Sequence, residues 1–131
     1  MKKILIIEDD NYLSRTLTNI LQFEGYNVFS AHNVEQAMYL ISAFSPDLIL
    51  SDIALGKDNG YDVLRKLKRT THRQIPFIFI SGKVKAKEIL HGLKSGADDY
   101  ITKPFDYIPF INKVKMHIAR VCMETRMDYG L

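Results

Sequence analysis

A chain of 131 residues, 47% apolar and 25% charged, is long enough for one self-sufficient core and short for two. Its net charge of +3 is too weak to argue for nucleic-acid binding by itself, and its single cysteine, Cys122, excludes an internal disulfide and fits a reducing compartment. Apolar runs reach about five residues against the roughly 20 that cross a bilayer, and the run after Met1-Lys2-Lys3 breaks at Glu8-Asp9-Asp10, which excludes a signal peptide.

Lys3 to Ile7 reads as an aliphatic strand that ends in acid: Glu8, Asp9, Asp10. Leu13, Leu17, Ile20 and Leu21 then fall on one face of a helix, and Gly25 closes it. Tyr26 to Ala31 is the second strand. Asn33 is the expected N-cap of a second helix with Val34, Ala37, Met38, Ile41 and Phe44 on its apolar face. Pro46 stops that helix. Leu48-Ile49-Leu50 is short and continuously apolar, as a strand buried on both faces requires, and Asp52 stands where it stops.

Ala54 to Gly60 is expected to be a loop. Val63, Leu64 and Leu67 mark a third helix that runs into the basic segment Lys68 to Arg73. Phe77 to Ile80 is the fourth strand, ended by Ser81-Gly82. Ile89, Leu90 and Leu93 mark the fourth helix, stopped at Gly96. Tyr100-Ile101 is a brief fifth strand before Thr102-Lys103-Pro104-Phe105. The last helix carries Phe110, Ile111, Val114 and Ile118, with Asp106 as its cap and Pro109 tolerated in its first turn. The periodicity lapses at Glu124, so the expected domain is 1–123, with 124–131 a tail or the start of a linker.

Five strand–helix pairs imply a doubly wound parallel sheet with helices on both faces. Right-handed crossovers put every strand's carboxyl end at one edge, where open α/β sheets bind ligands. That edge collects Glu8, Asp9 and Asp10 after strand one, Asp52 after strand three, Ser81 after strand four and Lys103 after strand five. Clustered carboxylates repel, and a hard divalent cation such as Mg²⁺ relieves the repulsion through oxygen ligands. A carboxylate can also attack phosphorus, giving an acyl phosphate whose charge calls for metal and cationic partners.

The chain resembles the receiver domain of bacterial two-component response regulators over about residues 2 to 121. The resemblance rests on Lys-Ile-Leu-Ile-Ile-Glu-Asp-Asp (3–10), Pro-Asp-Leu-Ile-Leu-Ser-Asp (46–52), Gly60, Ser-Gly (81–82) and Gly-Ala-Asp-Asp-Tyr-Ile-Thr-Lys-Pro-Phe (96–105). It implies a flavodoxin-like sheet of order 2-1-3-4-5. It implies Asp52 as phosphoacceptor, and Mg²⁺ held by Glu8, Asp9, Asp52 and the backbone carbonyl of Ala54. Lys103 and Ser81 would meet the phosphoryl group, and the Lys103-Pro104 bond would be cis. Tyr100 would be the aromatic switch, turning inward when Ser81 moves.

A histidine kinase or phosphotransfer protein would be the donor, and the domain would be cytoplasmic. Neither membrane association nor direct nucleic-acid binding by this domain is expected. The face of helix four, strand five and helix five would be repacked on activation, and it offers a surface for a homodimer. The pattern departs from the family at Gly56, where a proline is usual. Ala54 and Lys83 occupy two positions that influence phosphoform lifetime, and an alanine cannot orient water, so a long-lived phosphoform is expected.

Three rivals are weaker. An aspartate-nucleophile phosphatase wants a second acid two residues after the nucleophile, where this chain has Ala54. A flavodoxin-type electron carrier would not place Glu8-Asp9-Asp10 against a flavin phosphate. A phosphorylation-independent docking module would not need intact Asp9, Asp52, Ser81 and Lys103. Asp10 is best read as a helix-start carboxylate, and Asp98 and Asp99 as turn acids. Lys68, Arg69 and Arg73 read as a solvated helix end, and the four histidines lack ligand spacing.

Overall fold

The computed structural model describes residues 1–128, with the backbone alone from 122 onward. The strands are β1 (Lys3–Ile7), β2 (Asn27–Ala31), β3 (Leu48–Ser51), β4 (Phe77–Ser81) and β5 (Asp99–Thr102). The helices are α1 (Asn11–Phe23), α2 (Val34–Phe44), α3 (Gly60–Leu67), α4 (Ala86–Lys94) and α5 (Tyr107–Asp128). All strand pairs within this five-stranded sheet are parallel, and the spatial order is β2-β1-β3-β4-β5, as the alternating pattern requires. β3 and β4 are buried at every position, which explains why they read as continuous apolar runs rather than alternating ones.

The alternation of strand side chains divides the core in two. On one face Leu17 and Leu21 of α1 and Phe110, Ile111, Val114 and Ile118 of α5 pack on Ile4, Ile6, Leu48, Leu50, Ile78 and Ile80. On the other, α2 and α3 cover Leu5, Ile7, Ile49, Phe77 and Phe79, with Ile89 of α4 at the margin. Each of these large side chains contributes about 1.5–3 kcal/mol by leaving water.

The caps follow the sequence. Asp10 accepts from the backbone N–H groups of Tyr12 and Leu13, and Asn33 accepts from that of Gln36. α5 starts directly after Asp106, with Pro109 in its first turn. It runs on to Asp128, past the point where the apolar period lapses; the Cys122 side chain and residues 129–131 lie outside the described residues.

One expectation is corrected. The stretch from Ala54 to Gly60 is not an open loop: Ala54–Leu55 and Asp58–Asn59 form a two-rung antiparallel hairpin, and Gly60 opens α3. Gly56 turns the hairpin at φ +64°, a conformation closed to proline, whose ring fixes φ near −65°. The hairpin is tied down where Asp58 accepts from the Val34 backbone N–H at 2.9 Å, the first residue of α2.

Candidate functional site

Register brings the acids together. Ile7 pairs with Ser51, so Glu8 and Asp52 leave the sheet side by side. The Asp52 N–H donates to the Ile7 carbonyl at 3.0 Å, and the Glu8 N–H to the Ala31 carbonyl at 2.9 Å. Both main chains are therefore fixed before their side chains begin. Ser81 pairs with Thr102, and the Lys103 N–H continues the ladder to the Ser81 carbonyl at 2.8 Å. Lys103 thereby starts two strands away from Asp52, a gap that its four-carbon stem spans.

The Lys103 Nζ donates to Asp52 Oδ2 at 2.8 Å and to Glu8 Oε1 at 3.2 Å. Asp52 Oδ1 accepts from the Ile53 backbone N–H at 2.7 Å. Glu8, Asp9 and Asp52 each offer a carboxylate oxygen, and these lie within 4.8 Å of one another. Their burial differs sharply: Glu8 is 2% exposed, Asp52 half-buried and Asp9 exposed. The Lys103-Pro104 peptide is cis.

The electrostatics follow from this packing. Burial pushes the Glu8 carboxyl up to about 8, reinforced by the hydrogen bond to Asp52 and by that neighbour's charge, while Lys103 pulls it down. Burial works against the charge of Lys103, but Asp52 and Glu8 outweigh it and hold the ammonium above its ordinary value. Glu8 Oε2 is buried and has no hydrogen-bond partner. A buried carboxylate oxygen left unmet, beside two more carboxylates, is a donor set suited to a hard dication, so these residues fit Mg²⁺.

The other expected residues are nearby but otherwise engaged. Ser81 is buried and its Oγ accepts from the Lys83 backbone N–H at 3.1 Å; it makes no hydrogen bond to the carboxylates. Tyr100 is 6% exposed and already points inward, donating its hydroxyl to the Lys83 carbonyl at 2.8 Å. Ala54, exposed, begins the hairpin. Asp10 stands outside the carboxylate cluster, as a cap.

Two features escaped sequence reasoning. Asp99 is not a solvated turn acid: it meets Lys113 at 2.9 Å and the buried His117 at 3.0 Å. No local pattern links residues 14 and 18 apart in the chain. The second is the approach of Gly60 to the phosphoacceptor candidate. A Cβ there would lie 2.2 Å from the Asp52 carbonyl oxygen, so only glycine fits. The glycine was visible in the sequence; the contact was not.

Fold and site together define an α/β signalling-type domain: a flavodoxin-like parallel sheet whose carboxyl edge carries a carboxylate cluster bridged by one lysine. The chain belongs to the response regulator receiver domain family of two-component systems, whose model matches residues 4–115. It is 38% identical over 120 residues to the transcriptional regulatory protein CpxR of Escherichia coli K12, covering 92% of this chain and 50% of that protein. It is 34% identical over 119 residues to the DNA-binding response regulator MtrA of Mycolicibacterium paratuberculosis, covering 91% and 52%. The chain thus spans about half the length of the curated relatives it matches. A crystal structure of a two-component response regulator from Clostridium difficile superposes with a TM-score of 0.85 at 30% identity, covering 92% of this chain and 98% of that one.

Proposed function

We propose that this domain is a phosphoacceptor switch in which Asp52 takes a phosphoryl group from a phosphohistidine of a histidine kinase or phosphotransfer protein. The observation that carries the reading is the pairing of Lys103 Nζ with Asp52 Oδ2 at 2.8 Å inside the cluster of Glu8, Asp9 and Asp52. An Asp52 carboxylate oxygen attacks phosphorus, the phosphorus–oxygen bond forms, and the phosphorus–nitrogen bond to the donor imidazole breaks. The imidazole leaves as the neutral base after taking a proton. Lys103 sits fixed at the acceptor, so its charge meets the transferring oxygens without reorganisation.

Glu8, Asp9, Asp52 and the Ala54 carbonyl would hold Mg²⁺. When bound, the ion supplies positive charge to the phosphoryl oxygens. Ser81 releases the Lys83 N–H and turns its hydroxyl to the phosphoryl group. Tyr100 shares Lys83 with Ser81 as a partner, so the β4–α4 connection responds to both. The result is a population shift of the face made by α4, β5 and α5, which is also a surface for a homodimer. The reading places the domain in the cytoplasm with its kinase, bounded at about 1–123.

The test is intact mass after incubation with acetyl phosphate and Mg²⁺. A gain of one phosphoryl group, absent in Asp52→Ala and absent without Mg²⁺, is expected. No gain, with Mg²⁺ binding also undetectable, overturns the switch in favour of a phosphorylation-independent docking module. Ala54 and Lys83 occupy the two positions that influence phosphoform lifetime, and the Ala54 side chain cannot orient an attacking water, so the phosphoform is long-lived. Decay of the labelled mass as fast as that of chemotaxis-type receivers would refute this part.

A further inference from the structure

The net charge of +3 conceals a strong segregation. Residues 65–94 hold nine of the 18 Lys and Arg residues and one of the 15 acids, Glu88. This stretch therefore carries +8 and the rest of the chain −5. It spans the second half of α3, the connection to β4, β4 itself and α4. β4 is wholly buried and apolar but for Ser81, so the cations fall on the two helices and the loops at their ends. All nine are exposed, and among the described residues Arg65 is the one of them paired with an acid, Asp62. Unbalanced like charges repel one another and cost stability, which an opposite charge on a ligand would relieve.

α3 and α4 run along the same face of the sheet and leave a groove of about 470 Å³ between them. Its walls are Tyr61, Leu64 and Arg65 of α3, Lys68 and Arg69 just past the end of that helix, His91 of α4 and Ser95 just past it. The Tyr61 and His91 rings lie 4.9 Å apart at 42°, with His91 exposed. The groove thus joins a cationic wall to an accessible ring face. None of its residues belongs to the Asp52–Lys103 cluster.

We propose that the α3–α4 face binds single-stranded nucleic acid, with phosphates along Lys68, Arg69 and their neighbours and a base against the His91 ring. Cationic grooves with stacking platforms recognise single strands in this way. An acidic protein segment would share the charge term, but tight peptide docking concentrates on apolar anchors in desolvated pockets. Here the one aliphatic wall residue, Leu64, is itself buried, and the accessible wall is mostly cationic stems and the His91 ring. The net charge of the whole chain averages these two poles and does not reveal the face.

The experiment is fluorescence anisotropy with a labelled oligothymidylate of roughly 16 nucleotides, within the range of single-strand site sizes. Binding at low salt should weaken with a log–log slope of about −3, as neutralisation of four or five phosphates requires. Lys68→Glu with Arg69→Glu should weaken binding at least tenfold. Lys2→Glu with Arg15→Glu changes net charge equally on other faces and should weaken it less than threefold. His91→Ala should cost several-fold at an unchanged salt slope.

Absence of binding overturns the proposal, as do equal losses in both charge-reversal pairs. Loss-free His91→Ala, or equal affinity for a duplex of the same length, overturns the single-strand reading. Tighter binding of a poly-glutamate peptide or of vesicles rich in anionic lipid than of the oligonucleotide also overturns it.

Discussion

Glu8 is the residue at which structure adds most to the sequence. Sequence separates Asp10, the cap of α1, from the other two acids but not Glu8 from Asp9, yet Glu8 is buried and Asp9 exposed. The first acid continues the inward side of β1, which the strand's alternation cannot reveal because every residue from Ile4 to Ile7 is buried. A Glu8 carboxyl raised from 4.5 to about 8 binds its proton more tightly folded than unfolded. Stability then falls as pH rises through that window, because the native state holds the extra proton. We expect urea midpoints in metal-free buffer to decline from pH 4.5 to about 8, and the decline to flatten in Glu8→Gln. Added Mg²⁺ should restore stability most at the upper end, where the ligand is ionised. An equal decline in Glu8→Gln would remove Glu8 as its source.

At the level of elements, the hairpin is the feature that shapes the acceptor loop. It returns the chain from Asp52 to Gly60 in two rungs, so that α3 begins directly against the Asp52 carbonyl. The Gly60 N–H donates to the Ile53 carbonyl at 2.7 Å, locking this approach. Gly60→Ala would drive a methyl into backbone rather than into a pliable side chain. We expect a loss of about 2–3 kcal/mol, the upper range for a single strained site, read by urea unfolding. The phosphorylation yield of Gly60→Ala should fall as well, because relief of the clash moves Asp52. Full yield at reduced stability would show that the acceptor is positioned independently of the hairpin. All five strands and five helices of the wound sheet were legible, since each carries its own period or a continuous apolar run bounded by Gly or Pro. The hairpin was not, because Ala54 to Asn59 has too few apolar residues to show an alternation. Strand ends alone brought Glu8, Asp9, Asp52 and Lys103 to one edge, together with Asp10 and Ser81, which the structure engages elsewhere. The engagement of Ser81 and Tyr100 with Lys83 was not, since it depends on how a loop without periodicity folds back.

For the whole molecule, the question is what holds the last helix, and with it the β5 side, to the sheet. α5 buries Phe110, Ile111, Val114 and Ile118 against one face, an apolar seam that fixes no rotation by itself. Polar ties supply the orientation. Asp99 of β5 takes Lys113 and His117 from two successive turns of α5, and Asp98 takes Arg120 at 3.2 Å. Asp98 also accepts from the Phe77 backbone N–H at 2.8 Å, which carries the tie into β4. Burial raises the Asp99 carboxyl, but Lys113, His117 and the Tyr100 N–H outweigh it and hold it below its ordinary 3.8. Such a group contributes stability that is complete above 3.8 and is lost as pH falls through its lowered folded value. Asp99→Asn should therefore cost about 1–3 kcal/mol at pH 7, as expected for lost hydrogen bonds to charged groups. The gap from the parent should shrink as pH drops below 3.8 and the parent's carboxylate is itself protonated. Urea midpoints of both proteins between pH 7 and 3 read this directly. A gap that stays constant across the titration would mean that Asp99 acts by packing, and that the seam alone orients α5.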